Sequence, residues 1–340
     1  MRFLLYLSQN YSFEILRPLA REMLSHHHQV KWFVEGNEVN KSLFLDEEVL
    51  LTNIDEVIAF NPHATFLPGN LVPSFVPGLK VQLFHGFEWK KKGHFRIRGC
   101  FDLYCTQGPF FTDKFNELRA QHPHFTVTET GWTKLDPLFS EPPHQTATSE
   151  APTLLYAPTF SPSLTSTEAL LDTIVTLSHQ YPWRWKVKFH PKMDKATVTK
   201  YLRHQHQKLE VVGSSSIIPL LQQCDVMISD TSSAITEFLL LGKPVITFKN
   251  AQPEAVLINI DEAAQLEHSV LKALSPDATL QAEIAAYSKK MHPYTDGHSA
   301  QRVLQATLEE LDLFPRKENV AKPQNWFRNL KLRKRLGYWK

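Results

Sequence analysis

Residues Asp225 to Phe248, DVMISDTSSAITEFLLLGKPVITF, read as a strand, a polar turn, a helix and a second strand. Val226, Met227 and Ile228 form an unbroken apolar run, and Val245 to Phe248 nearly so. Neither shows the alternation of a half-exposed strand, which suits parallel strands covered on both faces. Ala234 to Leu241 is helical in composition, Gly242 supplies the left-handed residue that ends a helix, and Pro244 prevents its continuation. The turn from Ser229 to Ser233 consists of short hydroxyl and carboxyl side chains. Such residues are ordinary helix N-caps. The open N–H groups at a helix start also receive phosphate, so the stretch alone leaves capping and phosphate binding open.

The same rhythm extends in both directions. Upstream, strands are expected at Phe3 to Leu7, Val30 to Val34, Ala64 to Leu67, Val81 to Phe84, Leu103 to Cys105 and Thr126 to Glu129, with helices at Phe13 to Leu24, Ile54 to Phe60 and Phe110 to Ala120. Alternating strands and helices predict a parallel sheet. Residues 139–152, rich in Pro, Ser and Thr, read as a linker. The second half repeats the pattern with strands at Leu154 to Tyr156, Lys186 to Phe189 and Glu210 to Val212, then the opening unit and three closing helices. The division expected is a first Rossmann-like domain over 1–138, the linker, a second Rossmann-like domain over 153–315 and a tail over 316–340. The predicted class is α/β, two doubly wound Rossmann-like domains facing a cleft, with C-terminal helices and a basic tail.

A chain of 340 residues with 42% hydrophobic and 21% charged residues is that of a globular protein. The start, MRFLLYLSQN, is too short for a secretory leader, and no run approaches the ~18 apolar residues of a spanning helix, so a cytoplasmic location is expected. Cys100, Cys105 and Cys224 form no C-x-x-C pair and suit a reducing compartment; no metal site and no cofactor are expected. The tail carries nine basic residues against Glu318, interleaved with Trp326, Phe327, Tyr338 and Trp339. That mixture suits an anionic membrane surface or a terminal helix packed back on the protein. Nucleic acid is the weakest partner, because the rest of the chain is acidic and holds no recognition motif.

The strand ends carry the chemistry. His85-Gly86 follows one apolar run and leads to Lys90, Lys91 and Lys92, and His190-Pro191-Lys192 follows another in the second half. Histidine is the usual proton acceptor near neutral pH, and lysines meet anions. Either histidine alone could be a structural hydrogen bonder. Gly131 to Asp136, Tyr156 to Phe160 and Asp296 to Ser299 complete the set.

Taken in order, these segments resemble the CDP-glycerol glycerophosphotransferase family, teichoic-acid type polymerases and primases of GT-B architecture. H-G-x-x-x-K-x-x-G is met by His85, Gly86, Lys90 and Gly93, and G-x-P-[RK]-x-D by Gly131, Lys134 and Asp136, with Thr133 replacing the proline. Y-A-P-T-[WF] is met by Tyr156 to Phe160. D-x-x-x-[ST]-D-x-S-S is met by Asp225, Ser229, Asp230, Ser232 and Ser233, with Thr231 where tyrosine is common, and D-G-x-[AS] by Asp296, Gly297 and Ser299.

The resemblance implies transfer of glycerol phosphate from CDP-glycerol, or a related CDP-alditol, to a glycan or lipid-linked acceptor, with release of CMP. In that reading His85 is the base and His190 a donor to the phosphates. Thr159, Thr231, Ser232, Ser233 and Lys134 hold the donor, Glu237 accepts from its ribose, Lys90 and Gly86 meet anionic groups, and Asp230 supports its neighbours. A GT-B glycosyltransferase using a nucleotide sugar is the second expectation, and a non-catalytic envelope-assembly protein the third.

Overall fold

Every side chain of β4 (Ala64–Leu67) is buried, as it must be in a sheet covered on both faces. The computed structural model describes residues 1–87, 89, 93–140, 151–213, 216–313 and 322–339. Two units emerge, Met1–Ser140 with Lys290–Lys340, and Glu141–Lys289. The first contains β1 (Arg2–Leu7), β2 (Gln29–Val34), β3 (Leu50–Leu51), β4, β5 (Leu79–Gln82), β6 (Leu103–Thr106) and β7 (Thr126–Glu129). Their order is β3-β2-β1-β4-β5-β6-β7, all parallel. The order reverses between β1 and β4.

The second unit holds β8 (Thr153–Tyr156), β9 (Arg184–Lys188), β10 (Leu209–Val212), β11 (Val226–Ser229), β12 (Val245–Phe248) and β13 (Leu257–Ile260). They run β10-β9-β8-β11-β12-β13, again parallel, with the reversal between β8 and β11. Open α/β sheets bind ligands at the carboxyl ends of strands beside such a reversal. The opening stretch therefore supplies one strand of the switch point. Asp225 fixes its near end: Oδ2 accepts the Thr153 N–H at 2.8 Å, and Asp225 N–H donates to the Thr153 carbonyl. Lys243 closes the helix Ile218–Gln223, which leads into β11, by donating to the carbonyls of Leu221, Gln222 and Cys224. Gly242 has φ +73, the left-handed conformation expected of it.

One expectation about organisation lies mostly outside the described residues, and another differs from the division seen. The predicted linker, 139–152, falls largely on 141–150, outside the described residues. The second domain, expected to run to 315, gives way at Lys290, inside the helix Ala278–Met291, and the rest of the chain joins the first unit. Contacts there explain why. His292 Nε2 accepts the Trp132 N–H at 3.0 Å, and Lys290 Nζ lies 4.9 Å from the centre of the Phe110 ring. Asp136 accepts the N–H groups of Ser299 and Ala300 at 2.8 and 2.7 Å, capping the helix Ser299–Leu313. Gly131 sits under this clamp: a Cβ there would lie 2.5 Å from Ser299 Oγ, and its φ is +79. Burial pushes the Asp136 carboxyl up to about 6, against the lowering pull of those two N–H groups.

The tail also belongs to the first unit. The helix Trp326–Leu336 buries Leu332 and sets Leu336 and Tyr338 against a core containing Leu4, Phe101 and Phe115. Of the two uses expected for the tail, an anionic membrane surface and a terminal helix packed back on the protein, the second is what this helix displays. Helix Ser12–Ser25 tolerates Pro18 in its middle, at the loss of the hydrogen bond to the Glu14 carbonyl.

Candidate active site

In the second unit, three neighbouring strand ends are tied into one edge. The loop after β11 begins with Asp230, 1% exposed. Its Oδ1 accepts the N–H groups of Thr159 and Thr231, both at 2.7 Å, and its Oδ2 accepts the N–H and hydroxyl of Ser166, both at 2.9 Å. Four donors on one carboxylate bind the loops after β8 and β11 together, so Asp230 is a support. Asn250 Nδ2 adds a bond to the Asp230 carbonyl at 3.1 Å, bringing in the loop after β12. Ser229 Oγ donates to the Ala157 carbonyl at 2.7 Å.

The loop after β9 joins through a ring contact. Phe160 stacks on His190 with centroids 4.4 Å apart and an interplanar angle of 29°. His190 Nδ1 accepts the Lys192 N–H at 3.0 Å. That bond places the proton of the neutral ring on Nε2, which is then a donor. Burial, with the Lys192 charge as a smaller contribution, lowers the imidazole pKa below its ordinary value, so the ring is neutral at pH 7.

Beside these, Thr231 is exposed and Ser232 and Ser233 are partly exposed. Ser232 Oγ accepts the Ala234 N–H at 3.3 Å, a modest cap for the helix Ala234–Leu239. The turn therefore does cap its helix, and among the described residues the backbone N–H groups of Ser232 and Ser233 meet no acceptor. Glu237 is 2% exposed, so it is not the solvated helix residue its type suggests.

In the first unit, His85 stands beyond β5. Phe84 has φ +59, which turns the chain so that His85 is exposed between the buried rings of Phe84 and Phe87. The backbone is held on both sides: Trp132 Nε1 donates to the Phe84 carbonyl at 3.4 Å, and Gln107 Nε2 to the Gly86 carbonyl at 3.0 Å. The Tyr11 ring lies 5.7 Å from that of His85. His94 stacks on Phe84 at 5.6 Å, and burial, then the His85 charge, lowers its pKa to about 4. Lys90, Lys91 and Lys92 lie outside the described residues. Lys134 sits in this first unit, with Nζ 3.6 Å from Glu14 and 5.3 Å from the centre of the Trp132 ring, a local engagement that the motif did not suggest.

Sequence reasoning missed Ser166, Asn250 and Gln107, and gave Trp132 no role within its segment. Each acts by holding a loop, and no spacing announces such a role. Tyr11 is signalled only by its place after β1, on the edge where the strand order reverses.

Two parallel, doubly wound sheets with polar loops at their carboxyl ends are those of an α/β protein of GT-B-like architecture. The CDP-Glycerol:Poly(glycerophosphate) glycerophosphotransferase family model matches residues 102–309, and the chain belongs to that family. It is a CDP-glycerol glycerophosphotransferase-like enzyme. Among solved structures, it is similar to the wall teichoic acid polymerase TagF (12% identity, 93% of this chain and 90% of that one, TM-score 0.66). It is also similar to Staphylococcus aureus MnaA with UDP (12%, 95% and 98%, 0.66) and to UDP-GlcNAc 2-epimerase from Neisseria meningitidis bound to UDP-GlcNAc (14%, 91% and 100%, 0.63). At such identities these likenesses concern the fold. No curated protein matches the sequence.

Proposed function

We propose that the enzyme transfers glycerol phosphate from CDP-glycerol to a hydroxyl of a cell-envelope glycan or lipid-linked acceptor and releases CMP. The observation that carries this reading is the joined edge of the second unit. A neutral imidazole donor, His190, is tied through Phe160 and Thr159 to the hydroxyl loop Thr231-Ser232-Ser233. Family membership supplies the donor, and a TagF variant has been soaked with CDPG.

The acceptor oxygen attacks the phosphorus that bears glycerol, and the bond from that phosphorus to the CMP oxygen breaks. His85 takes the acceptor proton, which requires an exposed imidazole on a fixed backbone. The hydroxyls and N–H groups of Ser232 and Ser233, with Thr231, hold the diphosphate, while His190 Nε2–H donates to the oxygen on which charge grows. Such a transfer is chiefly positioning and charge stabilisation, and charge-assisted hydrogen bonds contribute roughly 1.5–3 kcal/mol each. Glu237 is assigned the ribose hydroxyls. Lys134 is left with Glu14 and out of the donor set. Nucleotide donors are made inside the cell, so the reaction belongs at the cytoplasmic side of the envelope.

The test is a donor screen: the protein with CDP-glycerol, CDP-ribitol, UDP-sugars and CMP-sugars, each with envelope extract as acceptor, followed by nucleotide release. CMP from CDP-glycerol is expected. Release from a nucleotide sugar alone would replace this reading with glycosyl transfer.

A further inference from the structure

We propose that the outward face of the C-terminal helix docks the enzyme on an anionic phospholipid surface. At 100° per residue, Arg328, Leu332 and Leu336 share the inner side of Trp326–Leu336, while Trp326, Phe327, Leu330, Lys331 and Lys334 share the outer one. The inner side is firmly held. Leu332 is buried, Arg328 donates to the Arg98 carbonyl at 2.5 Å, and Arg335 reaches the buried Glu35 at 2.6 Å, whose other oxygen accepts from Tyr6. Tyr338 stacks on Phe75 at 4.5 Å, and Lys322 pairs with Asp102 at 2.6 Å. The face left outside is therefore a fixed surface of the folded unit.

That face carries large apolar groups: Trp326 is 76% exposed, Phe327 86%, Leu330 56% and, just beyond the helix, Trp339 64%. Scattered apolar side chains on a surface need no explanation, but four in fourteen residues form a patch. Lys331 and Lys334 stand beside them, exposed, and among the described residues neither has an acidic partner. No acidic residue occurs from Lys322 to Lys340. Tryptophan and phenylalanine beside unneutralised lysines fit a headgroup layer that is apolar beneath and negative above. A second copy of the chain fits poorly, since it would set the same lysines against each other. No described helix is long and apolar enough to cross a membrane, so the contact is with the surface. Its biological sense rests on the envelope acceptor proposed above, but its physics does not, and the test uses neither donor nor turnover.

Full-length protein is floated with vesicles of phosphatidylcholine alone and of phosphatidylcholine with a quarter phosphatidylglycerol. Binding to the anionic vesicles, weakened by salt, is expected. Replacing Trp326, Phe327 and Leu330 together by Ser should weaken it about tenfold or more, and Lys331→Glu with Lys334→Glu should remove the preference for anionic lipid. The charge variant keeps the question open to refutation if the triple variant fails to fold. The proposal is overturned if wild type ignores anionic vesicles, if either folded variant binds as wild type does, or if sedimentation shows that the face holds two copies together.

Discussion

The carboxylate of Asp230 accepts both the backbone N–H and the hydroxyl of Ser166, each at 2.9 Å, across 64 residues of sequence. The Ser166 hydroxyl also meets the Tyr156 hydroxyl at 2.8 Å, so one side chain joins the core of β8 to the loop that opens the donor edge. Asp230→Asn keeps the shape but turns an amide toward groups that are all donors. It should cost about 2–4 kcal/mol of stability, read from urea unfolding, and reduce turnover with it. An Asn variant as stable as wild type would show that the four bonds do not hold the loops.

Phe160 shields His190, and that shielding has a measurable consequence. Phe160→Ala opens the imidazole to water, so its pKa should rise toward the ordinary histidine value, because burial is the larger cause of its depression. Phe160→Leu should restore part of the effect. NMR titration of the assigned ring gives the answer, and nitrogen shifts in the same spectra should report the proton on Nε2 near pH 7. A ring protonated on Nδ1 would contradict the bond from Lys192.

His85→Ala should lower CMP release by roughly 10²–10⁴-fold, the usual loss of a general base, with unfolding unchanged because the side chain is exposed. Gln107→Leu removes only the bond to the Gly86 carbonyl. If Gln107 positions His85, kcat should fall about tenfold or more while KM for CDP-glycerol stays level. A rise in KM alone would assign Gln107 elsewhere.

Much of this arrangement could be read from the chain before folding was known. The unbroken apolar runs predicted parallel strands, and β12 falls where expected because Gly242 and Pro244 punctuate it. Phe84 marks where such reading fails: its apolar side chain extends the expected strand, yet its positive φ ends the strand at Gln82. β13 went unseen because Asn259 resembles a turn residue. In the sheet its Oδ1 accepts from Thr247 Oγ1 and the Asn250 N–H, both at 3.0 Å. The closing helices were recognised, but periodicity tells which side of a helix is apolar and not which sheet it covers. The motif residues Gly131, Asp136 and Ser299 accordingly stood as separate motif positions with no assigned role, and the structure joins them as the clamp that brings the chain back to the first unit.

Acid should unfold the first unit through two histidines. Burial lowers both His94 and His292 from 6.5 to about 4. As pH falls through about 6.5 the unfolded chain protonates both rings, whereas the folded chain refuses them until about 4, so stability drops across that window. Asp136 acts in the opposite direction. Its carboxyl titrates at about 6 when folded and near 3.8 when unfolded, so between these values the folded state holds an extra proton and recovers stability. From pH 6 to 4 the unfolded state is ahead by about one proton, a slope of about 1.4 kcal/mol per pH unit from these three groups. His94→Gln removes one titration and should leave the remaining two nearly cancelling, so stability should fall less steeply with acid than in wild type. Urea midpoints at a series of pH values measure the difference, and equal slopes in the two proteins would sever the acid sensitivity from the burial of His94.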